Sequence, residues 1–139
     1  MSHPTFDSVS VGDKLPELTS APISRTTLAL YGGASGDHNP IHVDIDFAKS
    51  HGMPDVFAHG MLSMAYLGRM LTNWVPQCQL RSFSNRFGSI TNLQDKIHCN
   101  GTIVEKLEQD GEKLVRVEIN AANQDGDIKL AGEALIALV

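Results

Sequence analysis

An α+β fold, in which one antiparallel sheet wraps a single buried helix, is what the sequence predicts. Three observations lead there. The N-terminal half carries helix signals, residues Gly60 to Trp74 are apolar nearly all round, and the C-terminal half switches to a period of two. At 139 residues and 42% hydrophobic content the chain is long enough to bury one core and too short for two, so residues 1–139 are read as a single domain.

The elements follow in chain order. Ser24 can cap a helix that runs to Ser35, with Leu28, Leu30 and Tyr31 among its apolar positions and Gly36 able to end it. A short helix is expected near Asp46 to Ser50. From Gly60 to Trp74, the residues Met61, Leu62, Met64, Ala65, Tyr66, Leu67, Met70 and Leu71 leave little polar face, which marks a buried helix. Strands are expected near Leu80 to Phe87 and Lys96 to Glu108, and Gln109-Asp110-Gly111 turns the second of these into another. There Val115, Val117, Ile119 and Ala121 alternate with Arg116, Glu118 and Asn120, as in a strand with one wet face. The residues at 124–127 then turn the chain into a last strand with Ile128, Leu130, Gly132, Ala134, Ile136 and Leu138 on one side. Such a sheet has open edges, so self-association is expected.

Composition excludes several classes of function. A net charge of -5, with no cluster of Lys and Arg, argues against a nucleic-acid or anionic-membrane partner. No window reaches the roughly 18 apolar residues of a membrane span, and the start of the chain lacks the basic head and apolar run of a signal segment. A cytoplasmic protein is the expectation. Cys78 and Cys99 have no metal-ligand spacing and are expected to be reduced.

Two segments carry chemistry. The first, Ser35 to His42, reads Ser-Gly-Asp-His-Asn-Pro-Ile-His. Taken locally, it is a helix stop and a turn, since Gly, Asp, Asn and Pro all favour turns. On a continuous helix, Asp37 and His42 would lie about 140° apart around the axis and roughly 7.5 Å along it, too far to share one small molecule. Pro40 stops the helix and bends the chain, so the carboxylate and the imidazole can meet as an acid/base pair able to hold and deprotonate water. His38 and His42 have the spacing of a helical metal pair, but Pro40 lies between them and no further ligand set accompanies them, so no metal is expected. His3, His51 and His98 read as surface or packing residues.

The second segment, Ala58-His59-Gly60-Met61-Leu62, opens the apolar helix. A helix start offers unpaired N–H groups, and Gly60 would let a ligand approach them, so an oxyanion could be held there. The plainer alternative is that Gly60 eases the chain into the helix and His59 packs.

Together these segments resemble the MaoC-like family of hot-dog-fold proteins, the R-specific enoyl-CoA hydratases and (3R)-hydroxyacyl-thioester dehydratases. The resemblance begins at Phe6-Asp7-Ser8-Val9-Ser10-Val11-Gly12-Asp13 and includes Tyr31, the Ser35 to His42 segment with Asp44 and Phe47-Ala48, the Ala58 to Leu62 segment and, more weakly, Asn85-Arg86-Phe87. In kind the chain is most similar to the short single-hot-dog dehydratases of long-chain fatty-acid elongation. What the resemblance implies is a single hot-dog domain working as a homodimer or higher homo-oligomer on an acyl-CoA or acyl-carrier-protein thioester, without a cofactor. It also implies that Asp37 and His42 are the catalytic pair, that Asn39 orients the pair or the substrate, and that the Gly60 N–H receives the thioester oxygen. One departure stands out: after Phe87 the chain reads Gly-Ser-Ile-Thr-Asn-Leu-Gln-Asp, where many relatives have a proline and then Gly-Asp.

Two rival functions are a hot-dog thioesterase and a non-catalytic acyl-binding subunit. The first would be expected to place a carboxylate on or beside the central helix, and Met61 to Trp74 contains neither Asp nor Glu. The second has no physical need for both Asp37 and His42.

Overall fold

The computed structural model describes residues 2–139. A two-residue strand β1 (Leu18–Thr19) precedes helix α1 (Arg25–Ser35), the short helix α2 (Ile45–Ser50) and the long helix α3 (Gly60–Trp74). The remainder is four strands, β2 (Leu80–Phe87), β3 (His98–Gln109), β4 (Glu112–Ala122) and β5 (Ile128–Ala137). They form one antiparallel sheet in the order β1-β3-β4-β5-β2, curled around α3 as a hot dog.

Local chemistry explains the boundaries. Ser24 caps α1 by accepting the Thr27 N–H, and Gly36 ends it with a left-handed φ of 77°. The loop between β3 and β4 is two residues long, and Asp110 and Gly111 both have positive φ, 53° and 80°, which matches the twist of a hairpin. On β4, Val115, Val117, Ile119 and Ala121 are all 0% exposed, so the alternation read in the sequence does face the core. Its outer face is crossed by Arg116, which bonds Glu105 at 2.8 Å and Glu133 at 2.9 Å on the flanking strands.

Helix α3 sits over this concave face, burying Leu62, Ser63, Leu67, Met70 and Leu71. Its burial is one-sided in the single chain. Met61 is 50% exposed, and Ala65, Arg69 and Thr72 continue an open stripe on the other side. Edge strand β2 runs beside α3, with Phe83 against Gly68 and Phe87 against Gly60. At Gly132, where β5 meets β2, a side chain could not fit: a Cβ would overlap the Ser84 carbonyl and come within 2.7 Å of the Asn85 Cα. Two features had no clear periodic signal, β1 and the burial of Lys129, which is 2% exposed although it follows Ile128 in an alternating strand.

Candidate active site

The segment after α1 folds by short side-chain caps. The Ser35 hydroxyl accepts the Asp37 N–H, Asp37 Oδ1 accepts the Asn39 N–H at 3.2 Å, and Asn39 Oδ1 accepts the Ile41 N–H at 3.1 Å. Asn39 thereby starts the single turn Pro40–His42, with proline at its first position. This turn carries His42 back beneath Asp37. A carboxylate oxygen of Asp37 and one nitrogen each of His42 and His59 lie within 4.8 Å of one another.

The environments of these groups differ. Asp37 and Asn39 are exposed, whereas His42 is 8% and His59 1% exposed. His42 Nδ1–H donates to the Phe57 carbonyl at 2.7 Å, which leaves Nε2 as a bare acceptor. Its ring meets Phe57 edge-on and lies 4.0 Å from the His59 ring, the planes 30° apart. His59 Nε2–H donates to the Asp37 carbonyl at 3.2 Å, and its Nδ1 is buried without a partner among the described residues. Burial, and then the neighbouring His42, hold the His59 imidazole below its ordinary basicity, against an opposing pull from Asp37. Tyr31 packs edge-on against His59, and burial followed by the Asp37 charge pushes its phenol up.

Asp37, His42 and His59 have the composition of a metal triad, but one nitrogen of each imidazole is engaged by a carbonyl, Phe57 O for His42 and Asp37 O for His59.

Gly60 starts α3, so its N–H belongs to the first turn, which has no acceptor within the helix. A groove of about 330 Å³ opens there, walled by Phe57, Ala58, Phe87, Ile90 and Leu130. The loop after β2 braces this wall. Thr91 O accepts the Ala58 N–H at 2.9 Å, and Asn92 pairs with Phe57. The same loop reaches α1, since Ile23 N–H donates to Asp95 O and Gln94 N–H to Ile23 O. Gln94 takes a left-handed φ of 70° immediately before Asp95, a conformation in which glycine is unstrained. The departure at this loop is therefore a strained residue in a bracing loop, and it does not include Asp37 or His42.

Asp37 and His42 meet beside His59, and Gly60, the next residue, lines the groove, whose walls include neither Asp37 nor His42; His42 faces a separate hollow beside Arg25, Val43 and Val56. The Asn39 side chain accepts the Ile41 N–H of the turn, and Ser63 is buried on the inner face of α3. His3, His38, His51 and His98 stand apart from the cluster, and Arg81 is engaged by Glu112. Sequence reasoning left His59 as a packing residue. Its one available signal was position, directly before Gly60.

The sheet curled on one helix is a hot-dog fold, with a carboxylate and two imidazoles meeting at the junction before that helix. The MaoC-like domain model matches residues 8–124, and the chain belongs to that family. It is 30% identical over 135 residues to the fatty acid synthase subunit beta of Saccharomyces cerevisiae, covering 92% of this chain and 6% of that protein. The chain therefore spans a small part of that relative. It is 37% identical over 54 residues to an (R)-specific enoyl-CoA hydratase of Rhodospirillum rubrum, covering 39% of this chain and 38% of that one. Among solved structures, R-hydratase PhaJ1 from Pseudomonas aeruginosa superposes with a TM-score of 0.82 at 30% identity, over 96% of this chain and 84% of that one. The (R)-hydratase from A. caviae shares the fold, with a TM-score of 0.80 at 23% identity over 95% and 98% of the two chains.

Proposed function

We propose that the chain catalyses reversible hydration of trans-2-enoyl thioesters to (3R)-3-hydroxyacyl thioesters, with an acyl-CoA as the first substrate to try. The observation that carries this reading is that an Asp37 carboxylate oxygen and a His42 ring nitrogen lie within 4.8 Å of each other and of His59, the residue before the start of α3. A water held between the carboxylate and the imidazole attacks C3 and gives up a proton to the pair. The C2–C3 electrons move onto the thioester oxygen, where the Gly60 N–H stabilises the charge. As that charge collapses back, the pair returns a proton to C2, and one water has been added. Asn39 supports the pair through the turn it caps. The apolar groove walls suit an acyl chain or its thioester arm.

The same reading makes the protein a homodimer, with β2 and the open stripe of α3 as the faces a second copy would cover. A cytoplasmic setting fits two unbridged cysteines. Among the described residues no helix is long and apolar enough to cross a membrane.

The test is hydration of crotonyl-CoA followed by loss of enoyl-thioester absorbance, with chiral analysis of the product. Asp37→Asn is expected to lower kcat by about 10²- to 10⁴-fold, because the base is removed while the shape is kept. An (S)-3-hydroxy product, or an Asp37→Asn variant as fast as the parent, refutes the reading.

A further inference from the structure

We infer that His59 is a positioning residue that clamps the acid/base pair to the start of α3 and so sets the distance from Asp37 and His42 to the Gly60 N–H. The inference rests on the hydratase reading of those three residues and adds a fourth that acts through them.

Three contacts converge on this one ring. Nε2–H is bonded to the Asp37 carbonyl, one face is laid on His42, and the edge of Tyr31 closes another side. Because His59 directly precedes Gly60, displacement of the ring moves the oxyanion donor and both members of the pair together. The fit beneath the bond is close. A Cβ on Gly32 of α1 would stand 3.3 Å from the Asp37 carbonyl oxygen and 3.7 Å from His59 Nε2, so glycine leaves the bond its room.

Packing alone does not account for an imidazole here. An apolar ring would fill the same space without burying an unpaired nitrogen, and the bare Nδ1 of His59 is such a nitrogen. What the imidazole supplies and an apolar ring lacks is the Nε2–H donor. That donor matters because Asp37 is exposed and lies between two helical segments, where no regular ladder fixes it. A misplacement of about 1 Å in such a pair can cost on the order of 100-fold in rate.

Two variants of the full chain separate donor from packing. His59→Phe keeps a ring and loses the donor, and His59→Gln keeps an N–H at about the reach of Nε2. With crotonyl-CoA, His59→Phe is expected to lose roughly 30- to 100-fold in kcat with KM within about 3-fold, and His59→Gln to stay within about 5-fold of the parent. Gly32→Ala is expected to lower kcat while Tm holds or rises, because alanine favours a helix over glycine. The second readout is independent of turnover. In NMR spectra the Gly60 amide and His42 ring signals should broaden by exchange in His59→Phe and stay as sharp as in the parent in His59→Gln. A parent chain that hydrates no enoyl thioester would remove the hydratase reading and leave the NMR comparison to decide the clamp. Full kcat in His59→Phe, or signals that broaden equally in both variants, overturns it.

Discussion

Lys129→Met tests how the groove wall is held. The Lys129 side chain is 2% exposed and its Nζ donates to the Ile90 carbonyl at 2.7 Å and to Asp127 at 2.6 Å. It lies 3.7 Å from Asp95, whose side chain is 9% exposed. Methionine has similar length and volume and no charge, so little packing is lost. The Ile90 carbonyl loses its donor, at about 1–3 kcal/mol. Asp95 is left buried without its cation, and breaking a buried pair from one side costs about 3–5 kcal/mol in all. Asp127 reaches solvent, so its loss matters least. The expected destabilisation is therefore about 3–5 kcal/mol, a large share of the roughly 5–15 kcal/mol typical of a domain. At roughly 3 °C per kcal/mol for a chain of this size, Tm should fall by about 10–15 °C. Trp74 fluorescence in urea and thermal scans by circular dichroism both report it. Adding Asp95→Asn should recover about 1 kcal/mol or more, because the unpaired charge is then gone. A loss under about 1 kcal/mol, or strict additivity in the double variant, refutes the account of Lys129 as the buried tie of this loop.

Three further outcomes are expected. Gly132→Ala should cost about 3 kcal/mol or more, since its Cβ would meet the backbone of β2 rather than a movable side chain, and urea unfolding reads the loss. Gln94→Gly should gain about 0.5–1 kcal/mol, because relief of a left-handed residue at about 1–2 kcal/mol exceeds the added freedom of the unfolded glycine; an unchanged urea midpoint counts against it. His59 should make stability depend on pH. Its imidazole is held below the ordinary 6.5 in the fold, so the unfolded chain binds the proton first. That contribution is complete above pH 6.5 and is lost as pH falls towards the lower folded value. Unfolding free energy measured from pH 7.5 to 5 should fall more steeply in the parent than in His59→Gln, and equal slopes would contradict this.

Legibility in the sequence followed the range of the interaction. The alternation along β4, the Asp110-Gly111 hairpin and the caps at Ser24 and Gly36 are local effects, and each is found where its residues indicate. The meeting of Asp37 and His42 was accessible for the same reason, since Pro40 acts within the segment. What escaped depends on carbonyls and on distant chain. His42 is oriented by the Phe57 carbonyl and His59 by the Asp37 carbonyl, and a carbonyl is present at every residue, so neither bond leaves a mark in composition. Lys129 falls in the alternation as an outward residue, yet the loop after Phe87 and the turn before β5 close over it. Strand β1, with two residues, is too short to show a period.

These facts also explain where the chemistry sits. The sheet and the inner face of α3 form the rigid part, with long ladders and an apolar core. On the reading proposed above the reactive groups lie where α1 ends, where α3 begins and on the turn between them, with His42 held by the Phe57 carbonyl and the Asp37 carbonyl held by His59. An exposed carboxylate keeps its contact with water there, while a buried imidazole bonded to a carbonyl holds its other nitrogen in a fixed direction. Neither condition holds inside the sheet, where a charge would be desolvated, or on a free loop, where direction would be lost. The loop carrying Gln94 and Asp95 ties Ile23, just before α1, and Ala58, just before α3, to the sheet through Lys129. Strain at Gln94 and a buried ion pair at Lys129 are thus concentrated in a loop that holds the chain just before Gly60, and on the reading proposed above its movement would shift the Gly60 N–H relative to Asp37 and His42.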